Sequence, residues 1–258
     1  MKKYIILIAS VFMFASCSNQ PNKKGEYVVK PGKNTKELHI KYSDDGNISY
    51  IQEYNNGKPE GMQLNYGKEN IKNLSFIKDQ KNNGCGMVFH LNGTLNNFGT
   101  YVDGAKTGWF YVFDNSEMLT GKREYIKVDG NEFLNQWIQY NADGSVNRAE
   151  SNYIKVTPKS DTVKQGDEFV MNISLEAAFF KQYMIVVIGP YDANYALPKG
   201  AKCDTLRAMN FVATYKTKDY KKGKNIIRGM VEDLQPDAKN PKIINDRKIY
   251  FTHEFRVQ

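Results

Sequence analysis

Three cysteines and three histidines are few for 258 residues, and none stands in a Cys-x-x-Cys or Cys/His spacing. The usual zinc and dithiol signatures are therefore missing. His39, His90 and His253 lie far apart and share no local motif. There is no Gly-x-Ser-x-Gly elbow, phosphate-binding loop or His-Glu-x-x-His, so the reading is a non-enzyme without catalytic residues, metal or cofactor. The paired carboxylates Asp44-Asp45 and Asp167-Glu168 sit against turn glycines, where Asp accepts backbone hydrogen bonds. Apolar runs long enough to span a bilayer are also lacking, because the stretch from Tyr4 to Phe14 is too short for a membrane helix.

What that short stretch does fit is a secretory signal. Met1-Lys2-Lys3, the apolar run and small residues before a break form the expected three regions over residues 1–16. Phe14-Ala15-Ser16-Cys17 resembles a bacterial lipobox. That resemblance implies cleavage before Cys17, acylation of Cys17, and membrane attachment in the cell envelope, since more than one acyl chain makes anchoring stable. Residues 17–36 carry five lysines against Glu26 with Asn, Gln, Pro and Gly, the composition of a solvated tether. No acidic run follows Cys17, which favours an outer membrane location facing the periplasm. Cys85 and Cys203 fall in separate modules and are expected to stay unpaired.

Residues 37–150 repeat. Gly61, Gly84 and Gly108 recur at about 23 to 24 residues, a spacing that signals an array. Tyr54, Ile77 and Tyr101 stand seven residues before them, and Tyr66, Phe89 and Phe113 five after. Gly57 and Gly104 precede the first and last by four, whereas the middle copy has Gln80. Further turn signals fall at Asp45-Gly46, Asn92-Gly93, Asp129-Gly130 and Asp143-Gly144. Asn-Gly and Asp-Gly supply the positive φ of tight hairpins, and the aromatic segments between favour strands. A lone hairpin is marginal in water, so successive units must support one another.

"YIQEYNNGKPEG" and "NFGTYVDGAKTGWFYVF" resemble MORN repeats, with Gly99, Tyr101, Gly104 and Gly108 on the motif positions, Asn97 in place of the leading aromatic, and Gln52 for the first glycine of the earlier copy. The resemblance implies a scaffold, dimerisation or lipid-proximal module. Residues 151–258 lose the period and show short alternating strands broken by Gly, Pro, Asp and Asn, the pattern of a sandwich. "VTPKSDTVKQGDEF" and "FTHEFRV" resemble bacterial immunoglobulin-like envelope domains. The expected fold class is all-β: a MORN-like antiparallel hairpin sheet followed by an Ig-like β-sandwich.

The net charge of +8 is unevenly placed. Residues 37–150 hold 11 basic against 15 acidic side chains and residues 151–258 hold 18 against 12. The densest basic stretch includes Lys218, Lys221 and Lys222, readable as a polyanion contact or as a solvated hairpin tip. Outside the cytoplasm nucleic acid is not an expected partner. The functional expectation is a lipid-anchored envelope binding or scaffold protein that contacts a protein or envelope polymer through Tyr54, Tyr101, Trp109 and Trp137. The alternatives are a spacer that holds the sandwich away from the membrane, and an envelope hydrolase, which would need a cleft of converging polar groups.

Overall fold

A computed structural model describes residues 25–29, 36–68 and 70–258. The signal segment, Cys17 and most of the expected tether lie outside the described residues. Every regular element among the described residues is a strand. β1 (Gly25–Val29), β2 (Glu37–Tyr42), β3 (Ile48–Asn55), β4 (Lys58–Tyr66), β5 (Ile71–Lys78), β6 (Lys81–Asn82), β7 (Gly84–Phe89), β8 (Leu95–Val102), β9 (Ala105–Phe113), β10 (Leu119–Val128) and β11 (Asn131–Gln139) form one antiparallel meander. Its spatial order follows the chain.

Two kinds of turn alternate along it. Asn56-Gly57, Asp103-Gly104 and Asp129-Gly130 each have two positive φ values, 50 and 73°, 52 and 87°, 49 and 80°. That is the two-residue turn whose twist matches the strands. At the other ends, longer turns close with Gly46 N donating to Ser43 O, Gly93 N to His90 O and Gly144 N to Asn141 O, each at 2.9 Å. Gln80 and Glu117 occupy the corresponding glycine positions at φ 62° and 61°. Backbone pairing on both sides therefore imposes the turn even where the sequence omits its preferred residue. Gly61, Gly84 and Gly108 share positive φ, at 118, 115 and 73°, and the register slips opposite Gly61 and Gly108. These are bulges, where an extra residue is taken into one strand.

The aromatics recur as rungs. Tyr42 pairs with Ile48, Tyr66 with Ile71, Phe89 with Leu95 and Phe113 with Leu119, and the isolated bridge of Tyr140 with Val146 adds one more. Beside them a directly paired apolar row runs from Ile40 through Ile51, Leu64, Leu74 and Met87 to Phe98 and Tyr111. Ile51, Leu64 and Leu74 are buried, each burial worth about 1.5 to 3 kcal/mol. Cross-strand pairs of this kind hold a sheet that no second layer covers among the described residues.

The tether expected over residues 17–36 is corrected at Gly25–Val29. These residues pair along β2, from Gly25 with Tyr42 to Val29 with Leu38. Tyr27, Val28 and Val29 are strong strand formers, and the Tyr27 ring meets Tyr42 edge-on at 5.4 Å.

β12 (Tyr153–Pro158), β14 (Phe169–Ala177) and β17 (Val212–Thr217) form a second sheet. β13 (Thr162–Val163), β15 (Tyr183–Gly189), β16 (Asp204–Arg207), β18 (Gly223–Pro236) and β19 (Ile244–Val257) form a third, in the order β13-β19-β18-β15-β16. Alternate residues face inward: Phe169, Met171 and Ile173 of β14 and Val186 of β15 are fully buried with Val231 and Ile249. This is a sandwich core. The Lys-rich segment after β17 is not a hairpin tip, because β17 pairs with β14 whereas β18 pairs with β15 and β19. It carries the chain from one sheet to the other, which strand alternation alone does not reveal.

The edge strand β11 carries the sandwich. Its bulge residue Asn135 is 1% exposed, donates to Glu124 Oε2 at 2.7 Å and Tyr250 O at 2.9 Å, and accepts from Tyr250 N at 2.8 Å. Arg247 Nη2 donates to Leu134 O at 2.8 Å and Asn135 O at 2.6 Å.

Candidate functional site

The four aromatics singled out in the sequence do not converge. Tyr54 stacks on His39, centroids 3.7 Å apart, and Glu26 Oε1 lies 2.9 Å from the His39 Nδ1. Tyr101 lies over Gly86, where a Cβ would come within 2.5 Å of its ring, and meets Phe110 edge-on at 5.3 Å. Burial pushes its phenol above the usual range. Strand alternation puts Trp109 on the opposite face from Tyr54 and Tyr101, with Lys122 Nζ 4.5 Å from its ring. Trp137 belongs to the junction: Arg247 lies 5.2 Å from its ring and its Nε1 donates to Glu150 O at 2.8 Å. All four are half-buried.

Lys218, Lys221 and Lys222 are exposed on the sheet-crossing segment. That segment is fixed at both ends of Asn225, whose Oδ1 accepts from Lys221 N at 2.9 Å and whose Nδ2 donates to Lys221 O at 2.6 Å. Tyr220 donates its hydroxyl proton to Asp167 O. The flanking Lys216 and Lys224 are paired with Glu168 at 3.6 Å and Glu254 at 2.8 Å. The three lysines between thus remain available to an anion on a backbone that is held.

Sequence reasoning missed a cleft of about 540 Å³ at the other end of the long β18–β19 hairpin. β16 was not anticipated, and it matters here. It pairs only with Ile185 to Ile188 of β15, so beyond Arg207 the sheet loses its outer strand while β15, β18 and β19 continue. Tyr183, Met184, Phe211, Leu234, Pro236 and Ile244 form apolar walls, and Gln182, Asn210 and Arg207 supply the polar groups. The exposed Arg207 side chain makes no hydrogen bond or ion pair among the described residues.

The turn that shapes one wall is strained. Met209 and Val212 exchange backbone bonds of 2.9 and 3.0 Å around Asn210 and Phe211, whose φ values are 50° and 61°. The second position of such a turn favours glycine, and a bulky residue there costs on the order of 1 to 3 kcal/mol. Phe211 is kept there because its side chain packs on the sandwich core and its carbonyl accepts from Leu175 N at 2.9 Å. A sequence signal was absent, since nothing in Met209-Asn210-Phe211 announces a tight turn.

Nearby, Asp233 is fully buried. Its Oδ2 accepts from Phe180 N at 3.0 Å and from Phe179 N, and fixes the loop that leads into the cleft. Desolvation raises its pKa against those bonds and the nearby Arg247. Cys85 and Cys203 are both free, and among the described residues no group of three or more His, Cys, Asp or Glu could hold a metal.

No protein-family model matches the chain, and no curated protein matches it significantly.

Proposed function

We propose that the protein is a cell-envelope scaffold, anchored through lipid on Cys17, whose repeat sheet serves as a stiff arm that carries the sandwich away from the membrane. Strand order carries this reading. Nine steps separate β1 from β11 in the sheet, and at about 4.8 Å each they span about 43 Å. The sandwich is tied to the far edge by Asn135 and Arg247. Tyr54, Tyr101, Trp109 and Trp137 are engaged in packing, which favours an arm over a sheet that binds through its aromatics.

The sandwich is then the part presented to partners. Lys218, Lys221 and Lys222 offer an anionic polymer or acidic protein surface a contact. The MORN-like and Ig-like resemblances agree with a scaffold, and the apolar cleft has no Ser, His, Cys, Asp or Glu in its lining that would serve a hydrolase.

Two measurements test this. Metabolic labelling with an alkyne fatty acid should mark the wild-type chain and leave Cys17→Ala unlabelled. Cross-linking in envelope preparations should recover the same partners from wild type and from Tyr54→Ala. Recovery lost in Tyr54→Ala but kept in Lys221→Gln/Lys222→Gln would return the binding role to the repeat sheet.

A further inference from the structure

We propose that the cleft at the open end of the sandwich binds an amphiphile with one apolar chain and a single anionic head, with the head on Arg207 and the chain against Tyr183, Phe211 and Ile244. The site stands independently of the anchor on Cys17.

Its chemistry follows from the lining. The walls are apolar and no acidic side chain is among them, so an anion entering meets no repulsion from the lining. The volume of about 540 Å³ falls within the range of small-ligand sites, which combine apolar walls with a few placed polar groups. Arg207 is the sole charge in that lining. Arg228 and Arg247 use their guanidinium groups on backbone carbonyls and Arg148 pairs with Glu176, whereas the exposed Arg207 side chain, like those of Arg123 and Arg256, has no protein partner among the described residues. A planar guanidinium suits a carboxylate or phosphate oxygen pair.

Exposed apolar side chains surround the cleft. Tyr183 is 60% exposed, Ile244 51% and Met209, beside the strained turn, 81%. Backbone strain gathers at the same place, with Lys181, Asn210 and Phe211 all at positive φ. Strained residues cluster where binding needs a fixed shape.

The purified chain is titrated with monomeric dodecanoate, read by displacement of a fluorescent undecanoate probe. Phosphatidylglycerol vesicles are assayed in parallel by sedimentation, with Cys17→Ala as the background so that no acyl anchor contributes. Dodecanoate should displace the probe, dodecyltrimethylammonium should not, and Arg207→Gln should weaken dodecanoate about tenfold, the loss of one charge-assisted contact. Ile244→Asp should weaken it as well. Lys222→Gln removes the same charge at the opposite end of β18 and should leave affinity unchanged. Vesicle binding lost in Arg207→Gln identifies a lipid head group as the source of the anion, whereas dodecanoate binding alone identifies a free acid. Equal dodecanoate affinity in wild type and Arg207→Gln, or equal losses in Arg207→Gln and Lys222→Gln, would overturn the proposal.

Discussion

The side chain of Asn135 meets the main chain of Tyr250 at both ends, donating to its carbonyl at 2.9 Å and accepting from its N–H at 2.8 Å. An amide thus does across the junction what a neighbouring strand does within a sheet. The bulge that directs this buried side chain toward Tyr250 is a register slip opposite Glu124 and Tyr125 of β10. Without the slip, β11 would turn Asn135 elsewhere and the sandwich would lose its dock.

Replacing Asn135 by Leu keeps the branched shape, with a somewhat larger side chain, and removes the bonds. Tyr250 N–H and C=O are then left unpaired in a buried place, each costing about 1 to 3 kcal/mol. The expected outcome is a loss of about 2 to 4 kcal/mol in urea unfolding, with the repeat sheet and the sandwich melting in separate steps. A single transition at the wild-type midpoint would refute the coupling.

Gly99 and Gly57 should respond to alanine for different reasons. A Cβ at Gly99 would stand 2.4 Å from the buried Phe110 ring, so Gly99→Ala forces the ring aside and costs about 1 to 3 kcal/mol. At Gly57, φ is 73° and nothing lies within 4 Å, which leaves the left-handed penalty of about 1 to 2 kcal/mol. Phe110→Leu should rescue part of the first loss and none of the second, as measured by denaturation midpoints.

Gln80 holds a glycine position at φ 62°. Gln80→Gly relieves that strain but frees the unfolded chain, and the balance is a gain of about 0.5 to 1 kcal/mol. A shift of the urea midpoint upward checks it, and a loss would mean that Gln80 is held by contacts rather than by the turn.

Asp233 gives stability a pH dependence. Burial raises its carboxyl above the ordinary 3.8, so the folded chain holds this proton more tightly than the unfolded one. Its contribution is complete below the unfolded value and declines as pH rises through the folded value. Asp233→Asn removes that decline, so the stability of the variant relative to wild type should increase from pH 3.5 to pH 7. Parallel curves over that interval would refute the assignment.

Much of the repeat sheet is legible in the residues because it is local. An Asp-Gly or Asn-Gly pair fixes two dihedrals, and the aromatic five residues past each bulge glycine meets its partner across a neighbouring strand. The same locality explains the errors. Gln80 and Glu117 look unlike turn residues, yet pairing on both sides imposes the geometry. Gly25–Val29 reads as tether by composition, and becomes a strand only because β2 offers a free edge. Tyr54 and Trp109 look alike as exposed-strand aromatics, although the register places them on opposite faces.

The sequence by itself determined an all-β chain, a turn period, and the alternation that builds each strand, since these depend on dihedral preferences and on neighbours a few residues away. Tertiary structure alone decided which sheet received β17 and β18, how Asn135 joined Tyr250 across 115 positions, and where the early end of β16 opened a cleft beside Arg207. Those outcomes rest on contacts between segments remote in the chain, whose geometry no local spacing encodes.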